Sequence, residues 1–113
     1  MMRLWHNPRC SKSRAALALL EEAGHQPEVF RYLDTPPDAG TLAALLEKAG
    51  LTAAALVRRG EAAWKESGLS ADSPEAEIRT AILEHPILIE RPILETETTA
   101  IVGRPPERVL EII

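Results

Sequence analysis

Apolar positions change their period along the 113 residues, and each change predicts a new element. A short apolar run over 2–5 ends before Asn7-Pro8 and predicts a buried strand. From Ser11 to Ala23 an apolar stripe recurs with helical period and stops at Gly24, which predicts an amphipathic helix. The β-favouring residues of 28–32 predict a second strand. A helix between two strands favours a parallel pair with a right-handed crossover.

The middle of the chain has the period of helices rather than strands. Glycine or proline follows each apolar stretch, and a hydroxyl side chain that could cap a helix precedes two of them. These signals predict a mostly helical insert at about 38–85, within a single domain that spans 1–113. The expected helices are Asp38 to Ala49 before Gly50, Ala53 to about Arg59 with Thr52 as N-cap, and a helix from Ser73-Pro74-Glu75 to His85.

The last third of the chain returns to strands. Residues 91–95 and 98–102 predict two strands that are joined through Thr96-Glu97. Pro105 or Pro106 then opens a final helix, whose expected core-facing side chains are Val109, Leu110 and Ile113. The predicted order is therefore β-α-β, a helical insert and β-β-α, which is an α/β protein.

Composition excludes several classes of protein. Hydrophobic residues make up 45% of the chain and charged residues 27%, which is ordinary globular composition. A net charge of −4 and only four aromatic residues argue against a nucleic-acid binder. No apolar stretch is long enough to span a membrane, and no signal peptide is visible. We therefore expect a cytoplasmic monomer that binds no nucleic acid and no membrane.

Cys10, the only cysteine, lies at the start of the first predicted helix. The free N–H groups of a helix start stabilise an anion, and they can lower a cysteine pKa from about 8.5 toward the range of about 3.5 to 7.5. The nearby cations are Lys12 and Arg14, and the candidate hydrogen-bond donors to sulfur are His6, Asn7, Ser11 and Ser13. The alternatives are that Cys10 is a small buried residue before a helix and that His6 packs beneath the loop.

Other uses of the cysteine are disfavoured. One cysteine closes no intrachain disulfide, and His6, His25 and His85 have no ligand-like spacing with it, so we expect no metal. A loop like that of low-molecular-weight tyrosine phosphatases needs arginine six positions after the cysteine, where this chain has Ala16. A C-x-x-C dithiol site is absent because the second position is Ser13.

Five segments, in order and spacing, resemble the glutaredoxin-coupled bacterial arsenate reductases and their ArsC-like relatives. The resemblance implies a thioredoxin-like fold with a four-stranded mixed sheet and a cis proline at Pro92. The segments are His6-Asn7-Pro8-Arg9-Cys10, Tyr32-Leu33-Asp34-Thr35-Pro36-Pro37, Ala55-Leu56-Val57-Arg58, His85-Pro86-Ile87-Leu88-Ile89-Glu90-Arg91-Pro92-Ile93 and Gly103-Arg104-Pro105.

The same resemblance implies a chemistry and its residues. Cys10 would attack arsenate, with no bound cofactor, with glutathione as co-substrate and with glutaredoxin as the final reductant. The residues expected to bind the oxyanion are Arg58, Arg91 and Arg104, and those expected to support the thiolate are His6, Asn7 and Ser13. Such a cationic site has a physical reason, because an oxyanion with about two negative charges repels a thiolate until forked donors neutralise it. Arg59, beside Arg58, is a competing candidate for the first of these three oxyanion-binding arginines.

Two classes of function remain open. The first is a monothiol reductase of arsenate, of another oxyanion or of a small disulfide. The second is an ArsC-like non-reductase, namely a redox-sensing or transcription-interaction protein of the Spx type, which binds RNA polymerase. The three arginines favour the enzyme, because a transcription partner has no evident need of an oxyanion site around a thiol.

Overall fold

A four-stranded mixed sheet and a set of helices account for most of the chain, in a computed structural model that describes residues 1–113. The chain divides into two compact units. Residues 1–35 and 91–113 form the first unit, which contains the sheet, and residues 36–90 form the second, which is mainly helical. The expected insert at about 38–85 lies inside the second unit.

The first unit confirms the predicted sheet. Its elements are β1 Met2–Trp5, α1 Ser11–Glu22, β2 Glu28–Phe30, β3 Ile93–Thr96 and β4 Ala100–Val102. The strand order is β2-β1-β3-β4, with β1 parallel to β2 and with β3 antiparallel to both β1 and β4. Helix α1 follows β1 as predicted, and Gly24 with φ +88° follows its end. Three strands are shorter than predicted or shifted, because turns take up their outer residues.

Alternation along β1 and β3 assigns side chains to the two faces of the sheet. Leu4 is paired with Leu94, and both pack in a core cluster with α1 and the C-terminal segment. Trp5 is fully buried on the opposite face, where its indole Nε1 donates to Glu95 Oε1 at 3.0 Å. That carboxylate is buried, so its hydrogen bond to Trp5 offsets part of the desolvation cost.

The C-terminal segment Pro106–Ile112 is a 3₁₀ helix rather than the expected α-helix. A 3₁₀ helix has three residues per turn, so the inward positions recur every third residue. Val109 is fully buried and Ile112 packs against the core, whereas Leu110 is 38% exposed and Ile113 43% exposed. The prediction was correct for Val109 and wrong for Leu110 and Ile113, because it applied the α-helical period.

The second unit contains four α-helices and one short 3₁₀ helix. Asp38 caps the first of them through its Oδ1, which accepts from Thr41 N at 2.8 Å, and Gly50 ends it with φ +66°. The fourth helix starts without the predicted Ser73 cap, since Ser73 Oγ accepts from Ser70 N instead. The elements are α2 Ala39–Ala49, α3 Ala53–Leu56, α4 Ala62–Ser67, α5 Glu75–Glu84 and the 3₁₀ helix Pro86–Leu88.

Helix α3 ends three residues before the predicted Arg59 because the next residues pair with another segment. Val57 forms an isolated antiparallel bridge with Ile89. Leu56 O accepts from Glu90 N at 3.0 Å, and Arg58 N donates to Leu88 O at 2.8 Å. This pairing replaces the helical hydrogen bonds of the segment and fixes the backbone on both sides of Arg58. Helix α4 was not predicted from the sequence. No helix in the chain is both long and apolar enough to cross a membrane.

The inward face of the C-terminal 3₁₀ helix gives a stability prediction. Val109→Ala should lower the free energy of unfolding by about 2 kcal/mol, because it removes two buried methyl groups and leaves a cavity. The matched change Leu110→Ala should cost less than about 0.5 kcal/mol, because that side chain is already partly in water. Urea unfolding of both variants would measure this. Equal losses would favour the α-helical arrangement instead.

Candidate active site

The loop before α1 is a β-turn that places Cys10 at the helix start. Asn7 O accepts from Cys10 N at 3.0 Å, and Asn7 Oδ1 accepts from Arg9 N at 3.0 Å. Pro8 occupies the second turn position, where proline is favoured, after asparagine in the first, which is also favoured. Local sequence chemistry therefore builds the turn and fixes the direction from which the chain enters α1.

Cys10 is the N-cap residue of α1, with an extended backbone and a carbonyl that accepts from Arg14 N at 3.0 Å. Its thiol is only partly buried. Burial alone raises the pKa of this thiol, but the backbone N–H groups of Ser13 and Lys12 and the Arg91 guanidinium outweigh burial and lower the pKa. The Cys10 side chain makes no capping hydrogen bond. The backbone N–H groups of Ser13 and Lys12 therefore stabilise the thiolate through their partial positive charge. Lys12 thus contributes through its backbone, not through the ammonium group that the sequence suggested.

Strand register brings Arg91 and Arg104 together. Ile93 pairs with Val102 across the antiparallel β3/β4 ladder, so the residues two positions outside this pair are opposite one another. Arg104 Nε accordingly donates to Arg91 O at 2.8 Å. Because Trp5 also pairs with Ile93, the loop that follows β1 lies at the same end of the sheet. The fold thus places two of the three predicted arginines beside Cys10.

Arg104 contacts the sulfur directly. Its Nη2 donates to Cys10 Sγ at 3.7 Å, across 94 residues of sequence. The preceding Gly103 approaches its neighbours so closely that a Cβ would lie 2.8 Å from Val109 Cγ1 and 2.9 Å from Pro92 Cγ. Glycine is therefore required where the chain delivers Arg104 to the site. The Arg91–Pro92 bond is cis as the resemblance implied, and the Arg104–Pro105 bond is also cis.

His6, Asn7 and Ser13 form a buried polar group beneath the turn. Ser13 is fully buried, and its Oγ accepts from Asn7 N at 3.0 Å and lies 2.6 Å from His6 Nδ1. Burial lowers the pKa of His6, and the nearby charges of Arg31 and Arg14 lower it further. His6 is therefore neutral at neutral pH and adds no positive charge to the site. The Ser13 hydroxyl thus contacts Asn7 N and His6 Nδ1, while the backbone N–H of Ser13 helps to lower the pKa of Cys10.

Arg14, which was predicted only to add positive charge near Cys10, contacts the other side of the turn. Its Nη1 donates to Pro8 O at 2.8 Å. The available signal in the sequence was the spacing of four residues between Cys10 and Arg14. Four residues are about one helical turn, so the Arg14 side chain lies on the side of α1 that faces the loop. Arg14 thus helps to fix the turn that leads to Cys10.

Arg58, the third predicted arginine, belongs to the second unit. Its Nε lies 3.3 Å from Glu61 Oε1, and its Nη1 lies 3.0 Å from Glu90 Oε1. The adjacent Arg59 is exposed. Sequence reasoning gave no indication of the two carboxylates. No group of three His, Cys, Asp or Glu side chains is arranged to hold a metal ion.

Comparison with known proteins decides the family. A sequence profile of the ArsC family matches residues 5–112. The chain belongs to the ArsC family.

Relatives and solved structures agree with this assignment. Over 114 residues the chain is 47% identical to the uncharacterized protein YfgD of Escherichia coli K12, covering 99% of this chain and 96% of that protein. It is 47% identical over 112 residues to the arsenate reductase of Neisseria meningitidis serogroup A, covering 96% and 94% of the two chains. The arsenate reductase structure from Vibrio cholerae superposes with a TM-score of 0.94 and 44% identity, covering 99% and 97%. The predicted ArsC resemblance and the thioredoxin-like α/β fold are thereby confirmed.

This ArsC protein therefore presents a partly exposed thiol beside cationic donors. A thiol with a lowered pKa lies next to the guanidinium groups of Arg91 and Arg104. Guanidinium groups bind oxyanions through forked, charge-assisted hydrogen bonds. The arrangement suits attack by a thiolate on a tetrahedral oxyanion whose charge is neutralised as the bond forms.

The geometry predicts how the thiol titrates. The alkylation rate of Cys10 should rise with pH and level off at a pH below that of a free cysteine, whose pKa is about 8.5. Arg91→Ala should move the midpoint to higher pH, because it removes a hydrogen bond and a positive charge from the thiolate. Lys12→Ala is the matched control and should leave the midpoint in place, since Lys12 acts through its backbone N–H. Thiolate absorbance would measure the same midpoint independently. A Cys10 pKa in the native protein at or above that of a free cysteine would contradict a site that stabilises the thiolate.

Proposed function

We propose that this ArsC protein reduces arsenate to arsenite with Cys10 as the nucleophile. The observation that carries the proposal is the contact of Arg104 with Cys10 Sγ beside Arg91, at a thiol with a lowered pKa. Support also comes from relatives such as the Neisseria meningitidis protein, which is named an arsenate reductase and matches over nearly the whole chain.

The first step is attack of the Cys10 thiolate on arsenic. A sulfur–arsenic bond forms, and one arsenate oxygen takes up protons and leaves as water. Arg91 and Arg104 neutralise the charge that would otherwise repel the thiolate, so they lower the barrier to attack. We assign Arg58 to the same oxyanion as a third cation, because its position in the motif corresponds to that of the family arginine.

The second step needs another thiol, because reduction consumes two electrons and the chain has only Cys10. Glutathione attacks the adduct, and a disulfide forms between Cys10 and glutathione as the sulfur–arsenic bond breaks. Its electron pair stays on arsenic, which leaves as arsenite. Glutaredoxin then reduces the mixed disulfide by thiol exchange. Ser13 stands where a dithiol enzyme has its resolving cysteine, and its hydroxyl lies against His6.

We assign this cycle to a monomer in the cytoplasm. Glutathione and thioredoxin systems keep thiols reduced there, which the resting state of Cys10 requires. The cycle needs no bound cofactor, because both electrons come from thiols.

The thiol count predicts a trapped intermediate. During turnover with arsenate and glutathione, mass spectrometry should detect Cys10 carrying one glutathione, and adding glutaredoxin should remove it. Cys10→Ser should abolish turnover and the adduct together. Sustained turnover without any external thiol would contradict the mechanism. Inactivity with every thiol donor would instead favour the regulatory class of ArsC-like proteins.

Arg58 and its neighbour Arg59 provide a matched pair of substitutions that tests which arginine binds the oxyanion. Arg58→Lys should raise the KM for arsenate about tenfold or more, because an ammonium group cannot reproduce a forked contact worth about 1.5 to 3 kcal/mol. Arg59→Lys should change it less than about twofold, as expected for an exposed charge. Steady-state kinetics with glutathione and glutaredoxin in excess would measure both. The reverse ranking would identify Arg59 as the ligand.

A further inference from the structure

The guanidinium of Arg58 lies between two carboxylates. Glu61 approaches its Nε at 3.3 Å, and Glu90 approaches its Nη1 at 3.0 Å. All three side chains are about a quarter exposed, between 26% and 28%. Ion pairs that are partly removed from water are screened less than surface pairs, so both carboxylates compete effectively for this cation.

These ion pairs are not needed to hold the backbone of Arg58. Its N–H already donates to Leu88 O at 2.8 Å, and Glu90 N donates to Leu56 O at 3.0 Å across the bridge between Val57 and Ile89. The backbone is therefore fixed by the antiparallel pairing. What the carboxylates determine is the orientation of the guanidinium group and its availability to another anion.

We propose that Glu61 and Glu90 act as a carboxylate clamp that holds Arg58 in the absence of substrate and limits its affinity for oxyanions. This inference rests on the proposed function, in which Arg58 is an oxyanion ligand. Glu90 Oε1 accepts a hydrogen bond from Nη1, and Glu61 Oε1 lies 3.3 Å from Nε as an ion pair without a hydrogen bond. An oxyanion that makes a forked contact must displace at least one carboxylate, because each fork of a guanidinium uses either Nε or Nη1 together with the remaining nitrogen. The energy of that displacement is subtracted from the energy of oxyanion binding and so raises the KM.

The clamp also fits the end of the reaction. Arsenate carries negative charge and competes with the carboxylates, whereas arsenite is uncharged at neutral pH and does not. Glu61 and Glu90 therefore recapture Arg58 once arsenic has been reduced. They are positioning residues, because they act through Arg58 and do not touch the reacting atoms.

Charge removal without a change of shape tests the clamp. Glu90→Gln should lower the KM for arsenate about three- to fivefold, as expected from a partly exposed ion pair, and should change kcat less than about twofold. Glu61→Gln is a second variant with the same expected direction. Glu66→Gln, an exposed carboxylate on α4, is the matched control and should leave the KM unchanged. An unchanged or higher KM in both clamp variants would overturn the proposal.

A double-mutant cycle separates the clamp from a general effect of charge. In an Arg58→Ala background the gain from Glu90→Gln should disappear, because no guanidinium remains to be released. A gain of the same size in both backgrounds would show that Glu90 repels the anion directly, and it would overturn the clamp.

Sulfate binding to the reduced protein, measured by calorimetry, separates failure of the clamp from failure of the proposed function. Glu90→Gln should tighten sulfate binding even if the wild-type protein does not reduce arsenate, in which case the clamp stands and the reductase proposal falls. Sulfate affinity that is unchanged, weaker or undetectable in the Glu90→Gln protein overturns the clamp, whatever the reductase assay shows.

Discussion

The register of β3 between β1 and β4 is the constraint on which the candidate site depends. Trp5 and Val102 both pair with Ile93, so three chain segments that adjoin the strands meet at the same end of the sheet. The turn that carries Cys10, the chain at Arg91 and the chain at Arg104 are those ends. A slip of one residue would turn the side chains of β3 to the opposite face and separate Arg104 from the sulfur. The buried pair Leu4 and Leu94 makes such a slip costly.

The parts of the site that come from local sequence and from distant sequence have different roles. The turn from Asn7 to Cys10 is set by neighbouring residues and is supported from beneath by Ser13 and from the side by Arg14. It places the sulfur against helix amides that stabilise a thiolate whatever the substrate. Arg91 and Arg104 arrive from distant sequence and add fixed positive charge. In the proposed reaction the first part supplies the nucleophile, and the second binds the oxyanion that it attacks.

Sequence predicts most elements from local chemistry, but it misplaces boundaries that are set by pairing with distant segments. The apolar run of β1, the stripe of α1 and the glycine that follows α1 were recognised because the signals lie within the elements themselves. Helix α3 was predicted too long, since its end is set by the bridge from Val57 to Ile89, 32 residues away. The resemblance named Arg91 and Arg104, but only the register shows how they meet. Nothing in the spacing of Glu61 and Glu90 could reveal that both reach one guanidinium.

The lowered pKa of Cys10 favours both the first and the last step of the proposed cycle. A thiolate formed at neutral pH is required for attack on arsenic, although its intrinsic nucleophilicity falls as its pKa falls. When glutaredoxin attacks the glutathione sulfur of the mixed disulfide, Cys10 becomes the leaving group, and a thiol of low pKa leaves faster. The amides of Ser13 and Lys12 and the charge of Arg91 act on this sulfur in both steps. A protein with one cysteine thus gains from a sulfur that is released easily, because the thiol that resolves it comes from outside.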